Sequence, residues 1–196
     1  MELDYRAFAF IISLAAVVNG LGIVRLLTVF AAYLKHRDKM NITSYWVYNL
    51  WVALQFLLHI LVWWSLWNIR VAEIFNFLNY LYLLTGPILL FLSTSVLLPD
   101  EDDAEANLKT HFFSVRTLFF SINSLFWLWT IFLYPVLVGK FAPTAVLLSC
   151  FLVLATALRF TANPKVNAVL VIATWMLLIV FVGTFSMELG KVSESL

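Results

Sequence analysis

Charge is scarce in this chain. Asp, Glu, Lys and Arg make up 12% of it, against about 25% in an ordinary soluble domain. The net charge is +1. No strong field therefore draws nucleic acid or an acidic partner, and no nucleic-acid partner is expected. Cysteine occurs once, as Cys150. That excludes an intrachain disulfide and argues against a thiolate metal site.

Reaction motifs are missing as well. The chain has no HExxH, no GxSxG and no glycine-rich phosphate loop. No lysine sits in the middle of an apolar run, which speaks against a retinal Schiff base of the rhodopsin kind. No arginine recurs every third residue, so a voltage sensor has no support. His36 and His111 lie at the ends of apolar runs, which leaves His59 without a second histidine for a haem. The sequence gives no catalytic residue, metal site or cofactor, and it does not read as an enzyme.

Apolar residues are abundant, at 63%. A core cannot absorb that excess in a short chain, because small domains keep much of their surface exposed. A lipid-facing surface can. The apolar residues form continuous, helix-length runs instead of the alternation a barrel strand shows. A spanning helix needs about 20 such residues to cross about 30 Å of hydrocarbon. The sequence predicts an all-α, polytopic membrane helix bundle with about six transmembrane helices. Their spans are about 8–33, 44–67, 74–98, 112–138, 144–160 and 166–187. Helices five and six are the least secure pair, because the breaks around Gly139 and Pro164 are short. Residues 1–196 read as one transmembrane domain with no soluble domain. The first run is too long for a signal-peptide core, and its leader pairs Glu2 and Asp4 with Arg6, so it reads as a retained helix. Gly86 and Pro87 predict a kink in helix three.

Basic residues in the loops set orientation. Arg6, Arg70, Lys140 and Lys191 fall on one side; Lys35, Arg37, Lys39, Lys109, Arg116, Arg159 and Lys165 fall on the other. The richer side is expected in the cytoplasm of a plasma (inner) membrane, with both termini outside. The acidic loop from Asp100 to Glu105 then faces the cytoplasm, where it reads as solvated. So does the sequon at Asn41, which would stay unmodified there.

Polar groups inside a membrane helix need a reason, since an ionisable one costs about 2.5–3.5 kcal/mol at the centre. Helix two carries Tyr48, Gln55 and His59 on one face. Helix three carries Asn76 and Tyr80, helix one Asn19, and helix four Asn123. A tight hairpin of helices two and three would bring Asn76 and Tyr80 to His59. These residues are the candidate lining of a polar cavity: His59, Gln55, Asn76, Tyr80, Asn19 and Asn123. The bland alternative makes His59 interhelical glue. Arg25 and Arg116 are charge-pair candidates with Asp100, and Arg25 has snorkelling as its alternative. Most tryptophans, among them Trp46, Trp51, Trp63, Trp64 and Trp67, read as interfacial belts. Ala16 and Gly20 form a small-xxx-small pair for close helix contact.

Two functions follow as expectations. One is a small ion or proton channel or transporter subunit, its ion or small-molecule substrate unread. Six helices enclose little space, so it would self-associate as a homo-oligomer in the lipid bilayer. The alternative is a non-catalytic membrane scaffold, partner or sensor.

Overall fold

The computed structural model describes residues 5–36, 43–71, 76–99 and 107–186. Among them are six α-helices: α1 Tyr5–His36, α2 Trp46–Ser65, α3 Phe77–Leu97, α4 Leu108–Val138, α5 Ala145–Phe160 and α6 Pro164–Phe181. A 3₁₀ segment, Leu66–Val71, continues α2, and a π-helical turn, Val182–Ser186, continues α6. The described residues form no strand ladder. Their one β-bridge joins Thr43 to Asn107.

Local chemistry explains the helix ends. Asn76, Asn107 and Asn163 are N-caps whose side-chain oxygens accept from the first-turn amides of α3, α4 and α6. Pro164 fills the first position of α6, where a missing N–H costs nothing. Gly139 ends α4 at φ 79°, the left-handed conformation that glycine adopts without penalty. Thus both short breaks in the sequence are turns. Pro87 and Pro135 lie inside α3 and α4, each of which is assigned as one continuous helix.

The surface is inverted relative to a soluble protein. Phe10 (80% exposed), Val146 (77%) and Ile179 (67%) point outward, while Asn19, Gln55, His59, Thr94 and Asn123 are buried. Lipid is the solvent that makes such a distribution stable. Five helices are long and apolar enough to cross a membrane. The chain is therefore a helical, multi-pass integral membrane protein. The sixth, α5, has 16 residues, about 24 Å of helix, a length that crosses where the bilayer thins around it.

α4 is the central helix, packed against α3 and α5, and α1 docks mainly on α3. Rings fill the core: Trp127 stacks on Phe151 at 4.4 Å, and Trp51 meets Phe120 edge-on at 5.0 Å. Trp51 corrects the belt reading, being 4% exposed, whereas Trp46 and Trp63 do face outward. Within the chain, the small-residue pair of Ala16 and Gly20 is not the contact face of α1. Ala15, Asn19, Gly22 and Leu26 form the inward stripe of α1, and the space beside Gly20 is open.

Candidate functional site

A buried polar network joins α1, α2 and α4 near their midpoints to the C-terminal part of α3. Asn19 lies about 21 Å along α1, Gln55 about 14 Å along α2 and Asn123 about 22 Å along α4. Ser93 and Thr94 come from α3. All of these and His59 are 0–3% exposed.

Hydrogen-bond chemistry fixes most of the proton positions. Asn19 Nδ2 donates to the His59 carbonyl at 2.8 Å. Its Oδ1 therefore faces the ring, so His59 Nδ1–H donates to it, also at 2.8 Å. In a neutral ring Nε2 is then an acceptor, and Thr94 Oγ1 stands 3.0 Å from it. Gln55 Oε1 accepts from Ser93 Oγ at 3.2 Å, and Gln55 Nε2 donates to Asn123 Oδ1 at 3.2 Å. Asn123 Nδ2 closes the run on the Phe119 carbonyl at 3.0 Å. Thr94 Oγ1 is also 3.4 Å from Gln55 Oε1. A hydroxyl has one proton, so Thr94 serves either His59 or Gln55 at a given moment.

Backbone packing seats the ring. A Cβ built on Gly22 would overlap the His59 imidazole. Glycine there lets α1 close over the ring, which leaves it no exposed edge.

Four of the six cavity candidates meet in this network: Asn19, Gln55, His59 and Asn123. Asn76 and Tyr80 do not. Asn76 is exposed and caps α3, accepting from Asn79 N at 2.9 Å. Tyr80 is half-buried near the same end. The hairpin assumption fails because the Leu66–Val71 segment prolongs α2 and α3 starts only at Phe77. The opposite end of α3 thereby reaches His59 and supplies Ser93 and Thr94. Sequence reasoning missed those two and Gly22. Serine and threonine raise no cost alarm in a helix, because each can bond the carbonyl a turn earlier; for Ser93 the Leu90 carbonyl, at 3.3 Å, is the alternative to Gln55 Oε1.

The charge-pair candidates turn on Asp100, which lies outside the described residues. Arg116 Nη1 donates to the Leu158 carbonyl at 3.0 Å, one of the carbonyls that the end of α5 leaves open. The positive charge also suits the negative end of that helix. Arg25 is half-buried on α1. The rest of the acidic loop and Asn41 also lie outside the described residues. No family model, curated protein or solved structure matches the chain.

Proposed function

We propose that this protein is a non-catalytic, non-conducting membrane module, a scaffold or partner subunit whose helices are held in one arrangement by the buried network. One observation carries the reading. His59 has both ring nitrogens bonded inside the bundle, and its surface is fully covered. An ion or proton path needs polar groups that face water along its length, and these face each other. The closed network serves instead to fix the mutual register of α1, α2, α3 and α4, a task for which interhelical polar contacts suit a bilayer.

The channel or transporter reading, as a homo-oligomer sharing an axis, is the second. It is favoured by the single Thr94 proton within reach of both His59 and Gln55, which gives a place where a proton shift could be relayed. In either reading the cytoplasmic side of a plasma membrane carries the loops rich in Lys and Arg, and the termini lie outside.

Flux separates the two. Purified protein in liposomes is expected to pass no more protons or alkali cations than empty liposomes across pH 5 to 8, and His59→Gln is expected to give the same profile. A wild-type flux that varies with pH and disappears in His59→Gln would overturn the module reading in favour of the transporter.

A further inference from the structure

A second feature lies apart from the network, on the side where α1 and α2 diverge. Between them runs a groove of about 560 Å³, within the range of small-ligand sites (about 300–1,000 Å³). We propose that this groove holds one acyl chain of a phospholipid, whose ester or phosphate oxygens meet the hydroxyl of Tyr48.

Polarity changes along the groove in the sense a phospholipid requires. Leu26, Phe30, Val52, Ala53 and Phe56 line its deep part. Tyr33, Ser44 and Asn49 line the other end, beside the C-terminal part of α1 and the start of α2. Helix ends mark the membrane interface, so polar groups sit at headgroup level and the apolar part descends into hydrocarbon. The length agrees as well. Ser44 to Phe56 spans about 18 Å of chain, close to the ~15 Å depth of one leaflet's hydrocarbon.

Tyr48 supplies an independent pointer. It lines the groove and is 5% exposed. Its ring is fixed edge-on against His111, with centroids 6.2 Å apart. Its hydroxyl makes no hydrogen bond among the described residues and is not one of their fully enclosed unpartnered atoms, so the oxygen is open to the groove. A buried phenol normally finds a partner, and the oxygen-rich end of a phospholipid offers acceptors at that level. Ser44 Oγ accepts from Asn49 Nδ2 at 3.1 Å, which leaves its own proton free for the same oxygens.

The test is lipid retention. Full-length protein is extracted from membranes in mild detergent, washed extensively and weighed by native mass spectrometry. Wild type is expected to carry one phospholipid per chain. Ala53→Trp fills the groove and is expected to lower occupancy about tenfold or more, while Val153→Trp, on the outer face of α5 (66% exposed), leaves it unchanged. Tyr48→Phe keeps the ring and its His111 contact but removes the hydroxyl. It is expected to weaken retention about three- to tenfold, the effect of one hydrogen bond. Because Tyr48→Phe preserves packing, it keeps the proposal testable if Ala53→Trp folds poorly. Unchanged retention in either variant overturns it. So does a retained mass of free fatty acid, or a dimer in place of the lipid that Ala53→Trp dissociates.

Discussion

Gly22→Leu is expected to lower the stability of the bundle by several kcal/mol, the largest effect of any single substitution considered. A Cβ at this position overlaps the His59 ring. The ring has little room to yield, since Asn19 and Thr94 hold its two nitrogens at 2.8 and 3.0 Å. Overpacking costs about 1–3 kcal/mol. Losing the ring's bonds adds about 0.6 kcal/mol each on average in membrane proteins, with an upper value near 1.7. Thermal or denaturant unfolding in detergent would measure the sum. Trimming the ring should relieve the overlap, so His59→Ala in the Gly22→Leu background should recover part of the loss. The double variant would then be more stable than the two single losses summed. A Gly22→Leu midpoint matching wild type would show that α1 does not close over His59.

Gly86→Leu is expected to follow closely, through a different pair of helices. The Trp129 indole of α4 lies where a Cβ on Gly86 would stand. Two reciprocal bonds hold the residues around it: Trp129 Nε1 donates to the Tyr82 carbonyl at 2.8 Å, and Tyr82 Oη to the Trp129 carbonyl at 3.2 Å. Pro87 lacks the amide that would bond the Leu83 carbonyl, which loosens the turn holding Tyr82 O. A leucine at 86 would push the indole away and cost both bonds besides the overpacking, again several kcal/mol. Trp129→Phe removes one hydrogen bond and keeps most of the ring, so its loss should be much smaller. If Trp129→Phe proved as damaging as Gly86→Leu, the bonds and not the close approach would hold α3 to α4.

Much of this fold was legible because lipid imposes few options. Continuous apolar runs and the breaks around Gly139 and Pro164 marked the helices to within a few residues. The short α5 emerged where the sequence was least secure, between two close turns. Gln55, His59, Asn19 and Asn123 could be singled out because polar side chains deep in an apolar helix must find partners. Their partners were another matter. Helical phase tells which residues share a face, but not how far one helix slides along its neighbour. The 3₁₀ continuation of α2 shifted α3 and exchanged Asn76 and Tyr80 for Ser93 and Thr94. Gly22 gave no signal at all. A glycine in an apolar helix looks the same whether it meets open space, as Gly20 does, or an imidazole ring.

The polar network is closed to water. Ser93→Cys in a Cys150→Ala background tests this most directly, because serine and cysteine differ little in size and Ser93 is fully buried. Protein in open membrane fragments, accessible from both sides, would be treated with a small, water-soluble methanethiosulfonate reagent. Lys109→Cys, at an exposed position one residue into α4, serves as the control. Rapid modification is expected at 109, and none at 93 until the protein is denatured. Modification of residue 93 in the folded protein at a rate near that of 109 would show water reaching the network, and would contradict its closure.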